Sequence, residues 1–240
     1  MTRPATSAVP VDETQALGVG VYTVGEAARL IRMPVRTINR WLGGYTFKSG
    51  GRLTRMPPLW TPELPANDDD GLELGFRDLI ELRFVQAFVS EKVDLGIIRR
   101  CLERAREIVR DHRPFSTRRF RTDGRTIFVD VLKADGASEM LDLRQGQYVI
   151  KSVLERTFRD LDLEDGVVTR WRPFGGKRSI IIDPHRAFGQ PIAAVSGVPT
   201  IALSDAVKAE GSVERVARIY EISASAVRDA VRFEEQLQAA

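Results

Sequence analysis

Arg36, Thr37, Asn39 and Arg40 fall within five residues of one another, inside the stretch YTVGEAARLIRMPVRTINRWLGGY from Tyr22 to Tyr45. Arginine and asparagine side chains match the edges of guanine and adenine in a major groove through paired hydrogen bonds. That chemistry needs a helix to carry it. Val35, Ile38 and Leu42 recur at helical spacing, which predicts a helix from about Val35 to Leu42 with the polar residues on its front. A first helix precedes it: Thr23 is placed as the N-cap, Glu26 three residues on completes a capping box, and Ala27, Ala28, Leu30 and Ile31 form an apolar side. Met33-Pro34 separates the two, because proline suits the first turn of a new helix. Two short helices, a tight break and an Arg/Asn/Thr front make the helix-turn-helix plan for duplex DNA. The simpler alternative is a helical hairpin with a solvated charged face.

The flanking residues support the DNA reading. In FKSGGRLTRMPPLW, Ser49-Gly50-Gly51 is a turn signal between two short strands. Such a wing would carry Lys48, Arg52 and Arg55 toward a phosphate backbone. The net charge is only +3, but it is unevenly spread. Tyr22 to Trp60 holds seven basic residues and one acid, and Gly96 to Arg125 holds ten arginines and four acids. Thr200 to Ala240 holds five basic and seven acidic residues. The phosphate-facing surface therefore belongs to the N-terminal half.

Several function classes lose support. No nucleophile stands with a histidine partner, and no carboxylate cluster has metal-ligand spacing, so a non-enzyme is expected. His112 and His185 are too few and too scattered for a zinc site, and no metal or cofactor is expected. Phe174-Gly175-Gly176-Lys177 lacks the spacing of a phosphate loop and reads as a turn. Asp183-Pro184-His185 reads as a strand-ending turn. The single Cys101 cannot form an internal disulfide, fits a reducing cytoplasm, and sits among apolar residues as a structural thiol. No apolar run approaches the ~20 residues of a membrane span, and the first residues lack the apolar core of a signal peptide.

The 240 residues divide into a disordered tail (1–20), a DNA-binding unit with a dimer helix (21–110), an α+β middle unit (111–177) and a C-terminal helix-turn-helix unit with a short β-hairpin (178–240). The fold class is mainly α with small β elements, α+β. TPELPANDDDGLELG reads as an acidic loop, and Phe76 to Val89 as a helix apolar on most sides. A second helix runs from near Asp94 to about Asp111. Its stripe of Leu95, Ile98, Leu102, Ala105 and Val109 either closes the core or pairs with a second subunit; we expect a homodimer through it. RRFRTDGRTIFVDVL reads as a hairpin turning at Asp123-Gly124. QYVIKSVLERTFRDL is helical, and VVTRWRPF is a strand. Ser179 to Ile182 and the stretch between Gly189-Gln190-Pro191 and Gly197-Val198-Pro199 are strands. Helices follow from about Asp205, Val213 and Ala224, with Ser204, Ser212 and Ser223 as N-caps.

The two ends repeat one pattern. Ala28 is followed by Met33 and Ile38, at five and ten residues; Ala217 is followed by Ile222 and Val227 at the same intervals. The exposed face differs. The last helix offers Arg228, Asp229 and Arg232, then Glu234 and Glu235, and acids beside phosphates are repelled. This copy is expected to bind protein, on packing residues Val216, Ala217, Ile222, Val227 and Val231.

The opening motif, the basic wing and FRDLIELRFVQAF resemble the MerR-like winged helix family, over about residues 21 to 110. That resemblance implies dimeric DNA binding through helix-turn-helix plus wing, and transcription regulation. The family's metal-sensing members use cysteines or histidines near the dimer helix, and no suitable cluster sits here. The pattern DPHRAFGQP … GVPT … L … GSVERVARIYEIS … AVRDAVRFE resembles the small antitoxin domain of VapB-like proteins encoded beside PIN-like toxins. With PFSTRRFRTDGRTIF in the middle, the chain from 21 to 237 resembles a two-ended VapB-type antitoxin. Where many short members have Arg-Ile-Pro-Val after the glycine, this chain has Val198-Pro199-Thr200-Ile201. The resemblance implies two partners, operator DNA at Arg36, Thr37, Asn39, Arg40, Lys48, Arg52 and Arg55, and a PIN-like toxin at Arg228, Asp229 and Arg232. The competing reading is a one-component MerR-like regulator whose middle unit senses a ligand.

Overall fold

The computed structural model describes residues 18–65, 71–134 and 140–239. In chain order the elements are β1 (Tyr22–Thr23), α1 (Val24–Ile31), α2 (Val35–Gly43), β2 (Tyr45–Ser49), β3 (Arg52–Met56), β4 (Glu73–Leu74), α3 (Phe76–Ser90), α4 (Leu95–Val109), α5 (Arg118–Ala134), α6 (Met140–Phe158), β5 (Leu161–Glu164), β6 (Val167–Trp171), β7 (Ile180–Ile182), β8 (Pro191–Ala193), α7 (Thr200–Glu210), α8 (Val213–Ile219) and α9 (Ala224–Gln238). The fold is α+β and mainly helical, with antiparallel pairs β1–β4 and β2–β3 and one four-stranded antiparallel sheet, β5-β6-β7-β8. That sheet runs through residue 177, so the middle and C-terminal units share it.

Helix α3 is the axis of the larger core. Leu79, Ile80, Leu82, Phe84, Val85 and Phe88 are all buried, which leaves no broad solvent face. The Phe84 ring lies 4.9 Å from Phe158, 5.9 Å from Phe115 and 6.1 Å from Phe120, measured between centroids. Such pairs add about 0.5–1.5 kcal/mol each beyond area burial. A smaller core lies under α7, α8 and α9 around Leu203, Val216, Val227 and Phe233. The two are tied together. Val21 N donates to Phe188 O at 3.1 Å, and Tyr22 Oη donates to Gly189 O at 2.7 Å. Leu30 packs against both cores.

Five expectations are corrected. RRFRTDGRTIFVDVL is not a hairpin but part of α5, because Phe120, Gly124, Ile127, Phe128 and Val131 form a buried helical stripe that outweighs the local turn pair. Gly124 faces the Phe120 ring, where an added Cβ would sit 3.1 Å away. On α4, Ile98, Leu102 and Ala105 are 0% exposed within the single chain and Leu95 and Val109 are half-buried, so this stripe closes the core and offers no dimer seam. Ser204 is not an N-cap; α7 starts earlier, capped at Pro199, and Ser204 is buried inside it. The acidic loop contains β4, while residues 66–70 lie outside the described residues. The expected tail lies outside them only to residue 17: Gly20 is buried, and Val19 O accepts from Phe76 N at 2.8 Å.

No described helix is long and apolar enough to cross a membrane.

Candidate nucleic-acid interface

The first helix pair closes as its sequence requires. Thr23 Oγ1 accepts from Glu26 N at 3.2 Å, and Glu26 accepts from Thr23 N at 2.8 Å, which satisfies two free donors at the start of α1. At its other end Arg32 is left-handed (φ 54°), and Met33 N donates to Ala28 O at 2.9 Å. This is the Schellman closure, and it turns the chain sharply into α2. Pro34 precedes α2 in an extended conformation and its carbonyl accepts from Thr37 N at 2.8 Å. Ile38, Trp41 and Leu42 are buried beneath α2. Val35, expected on that buried face, is 46% exposed; Trp41 takes the place. Arg36, Asn39 and Arg40 are exposed and Thr37 is half-buried.

A hairpin follows directly. Gly44 (φ +73°) makes the link, and an added Cβ there would stand 2.7 Å from Met56 O. Strands β2 and β3 pair from Tyr45↔Met56 to Ser49↔Arg52, as the turn signal predicts. The Arg40 guanidinium lies 3.8 Å from the Tyr45 ring centroid, so the last basic residue of the helix front is held toward the hairpin. Lys48, Arg52 and Arg55 are exposed. Among the described residues no carboxylate forms an ion pair with Arg36, Arg40, Lys48, Arg52 or Arg55. The structure thus brings all seven candidates onto α2 and the hairpin beside it.

Three of the arginines of Gly96 to Arg125 do something different from what their charge suggests. Arg99 donates to Pro58 O at 2.8 Å and Pro57 O at 2.9 Å, Arg106 to Leu59 O at 3.2 Å, and Arg113 to Thr61 O at 2.8 Å. These side chains hold the segment that leaves the hairpin. Leu59 N also donates to Trp41 O at 2.8 Å, which fixes that segment to α2. Arg113 continues to Asp78, a fully buried carboxylate that also accepts from Trp60 Nε1, Glu63 N and Gly75 N. Sequence reasoning missed this anchor. The available signal was Asp78 and Glu81, two acids among the apolar residues of α3. Burial pushes the Glu81 carboxyl up to about 8, opposed by the hydrogen bond from Ser116 N. Burial also pushes the Cys101 thiol up to about 12, as fits a structural cysteine.

The second helix pair keeps the packing but not the surface. Val216, Ala217 and Val227 are buried and Ile222 is partly buried; Ala230, rather than the half-buried Val231, faces the core. Ser212 and Ser223 cap α8 and α9 as expected. Arg228 pairs with Glu214 at 3.3 Å and Asp229 meets Lys177 at 3.9 Å, while Arg232 is exposed.

Fold and site together define a helix-turn-helix protein with a basic hairpin after the second helix. Residues 20–102 match the family model described as "Putative DNA-binding HTH domain". Over 224 residues the chain is 26% identical to a Mycobacterium tuberculosis protein described as "Putative antitoxin VapB45", spanning 89% of this chain and 93% of that one. The crystal structure of Rv2018 from Mycobacterium tuberculosis shares the fold, with a TM-score of 0.70 over 90% of this chain and 99% of that one at 22% identity.

Proposed function

We propose that this chain is the antitoxin of a type II toxin–antitoxin module acting in the cytoplasm. Its N-terminal half binds operator DNA as a MerR-like winged helix and represses its own operon. Its C-terminal half neutralises a PIN-like ribonuclease toxin encoded next door. The observation that carries the DNA reading is the continuous exposed front from α2 to the hairpin, free of acidic partners among the described residues. Arg36, Asn39 and Arg40 read base edges, Thr37 supports them, and Lys48, Arg52 and Arg55 hold phosphates. A homodimer doubles the contact and occludes the promoter, through a seam other than the α4 stripe. The toxin assignment is supported by the similarity to a named antitoxin over most of both chains. Arg228, Asp229 and Arg232 on α9 are its candidate contacts.

Two experiments test this. Fluorescence anisotropy with the duplex upstream of the chain's own gene should give saturable, salt-sensitive binding; equal affinity for that duplex and random DNA would defeat operator recognition. Co-expression with the neighbouring reading frame should yield a complex and relieve growth arrest. The second reading, a one-component regulator, draws on one observation: a cleft of about 630 Å³ among α1, α3, α6 and α9, lined by Arg32, Arg83, Trp171 and Phe233. A neighbour that neither binds this chain nor arrests growth would favour it.

A further inference from the structure

The cleft of about 630 Å³ among α1, α3, α6 and α9 holds cations that neither helix pair accounts for. Its charged lining residues are Arg32, Arg83, Arg156 and Asp160. Asp160 is fully engaged. Arg83 Nη2 donates to both its carboxylate oxygens at 3.0 Å, and Trp171 Nε1 donates to Oδ2 at 3.0 Å. The Arg83 guanidinium also lies 4.2 Å from the Trp171 ring centroid. Its Nη1, however, is buried with no hydrogen-bond partner among the described residues. A buried donor without an acceptor has lost its water and gained nothing, so nearly all such donors are paired. Burial pulls the Arg83 pKa down, and Asp160 alone opposes this. The other two arginines stand nearer solvent. Arg32 is exposed and pairs with no carboxylate among the described residues. Arg156 meets Glu91 at 2.6 Å, but these side chains are 56% and 33% exposed, where ion pairs are weak and yield to a better partner. Helices α1 and α6 reach the cleft by their carboxyl ends, which attract cations without a ligand. That accounts for Arg32 and Arg156. It does not account for Arg83, which sits midway along α3 with a donor to spare.

Three guanidiniums against one carboxylate leave the lining at +2. A phosphate monoester near neutral pH carries about −1.5 to −2 and three acceptor oxygens, which suit arginine forks. A monocarboxylate would leave one cation uncompensated. Leu30, Ala87, Pro173 and Leu237 add an apolar wall. The volume falls within the roughly 300–1,000 Å³ of small-molecule sites, more than a free ion needs. We propose that this cleft binds a small molecule bearing a phosphate monoester, held by Arg32, Arg83 and Arg156, with an apolar body against that wall. The site gives the cleft of the second reading a ligand class, and it stands whether or not the chain binds DNA or a toxin.

The test is calorimetric titration of the full chain at constant ionic strength with phenyl phosphate, benzoate, phenol and inorganic phosphate. Phenyl phosphate should bind saturably and most tightly, because it alone joins the doubly charged group to an apolar body. A chain carrying both Arg32→Ala and Arg156→Ala should bind it at least roughly tenfold more weakly. Both side chains are exposed, and unchanged thermal melting confirms that this variant folds. Arg83→Lys keeps a cation beside Asp160 but lacks the spare fork nitrogen, and should weaken binding as well. No saturable binding of phenyl phosphate in the millimolar range would overturn the site, as would equal binding by the wild type and the double variant. Benzoate binding as tightly as phenyl phosphate would overturn the charge match, and inorganic phosphate doing so would overturn the ester. The readout is ligand binding alone, so these outcomes are independent of the operator and toxin assays.

Discussion

The helix pairs α1–α2 and α8–α9 close on the same backbone bond. Met33 N donates to Ala28 O at 2.9 Å, and Ile222 N donates to Ala217 O at 3.0 Å. The residue before each donor, Arg32 or Glu221, is left-handed with φ 54°. Ile38 and Val227 anchor the second helix of each pair at 0% exposure. The surfaces diverge. The first pair leads into a basic hairpin whose cations lack acidic partners among the described residues. In the second, Arg228 pairs with Glu214 and Arg215 with Glu210 at the end of α7. A few apolar positions and one left-handed residue therefore set the local fold. Which partner the fold can meet depends on charges those positions do not control. A polyanion needs cations that can release counterions, and self-paired arginines offer fewer.

The largest expected effect tests the shared part. Ile38→Ala should cost about 2–5 kcal/mol of stability, and Val227→Ala somewhat less because it removes less volume. Urea melts measure both. Only the Ile38 change should also weaken DNA binding at temperatures where both proteins stay folded; equal weakening would erase the functional contrast. Next in size is base readout. Arg36→Ala or Arg40→Ala should cost about 1–3 kcal/mol on a specific duplex, while Arg228→Ala leaves affinity unchanged. Anisotropy titrations on specific and random duplexes separate base contact from phosphate contact.

Gly44 and Gly211 sharpen the comparison at the ends of α2 and α7. Both have positive φ, at +73° and +68°, but only at Gly44 would a Cβ meet backbone, Met56 O. Gly211→Ala should cost about 1–2 kcal/mol of left-handed strain. Gly44→Ala should cost more, and should displace the hairpin and lower DNA affinity. A Gly44→Ala chain with unchanged affinity would show that the hairpin does not need its present placement.

Smaller effects concern the scaffold and the salt. The folded-state Glu81 carboxyl is raised from 4.5 to about 8. Between those values the folded chain holds a proton that the unfolded chain releases, so this contribution to stability is lost as pH rises. Glu81→Gln should flatten the fall in urea midpoint between pH 5.5 and pH 8. Arg52→Ala should lower the slope of log affinity against log salt by roughly one, on any sequence.

The local fold of the candidate interface was legible in the sequence because its signals are local. A capping box, a turn proline, an apolar period and a glycine pair each act within a few residues. The exchange of Val35 for Trp41 on the buried face of α2 is the uncertainty of a short helix, where period alone leaves the rotation open. The hairpin wrongly read in α5 shows the opposite case: Asp123-Gly124 is a strong local turn signal, but the stripe from Phe120 to Val131 packs against α3 and α4 and wins. The α4 stripe was seen correctly as apolar, yet periodicity cannot say whether α5 or another subunit covers it. The anchor of Arg99, Arg106, Arg113 and Asp78 was least legible. Its partners lie tens of residues apart, so a run of arginines read as phosphate contacts when three of them hold backbone carbonyls.

The measurement that bears most directly on the account compares two full-length variants on the chain's own upstream duplex. One carries Arg36→Ala, Asn39→Ala and Arg40→Ala; the other carries Arg228→Ala and Arg232→Ala. With circular dichroism confirming the fold, the first should lose specific binding at physiological salt and the second should bind like the wild type. Retained specific binding by the first, or an equal loss in the second, would contradict the division of roles between the two helix pairs.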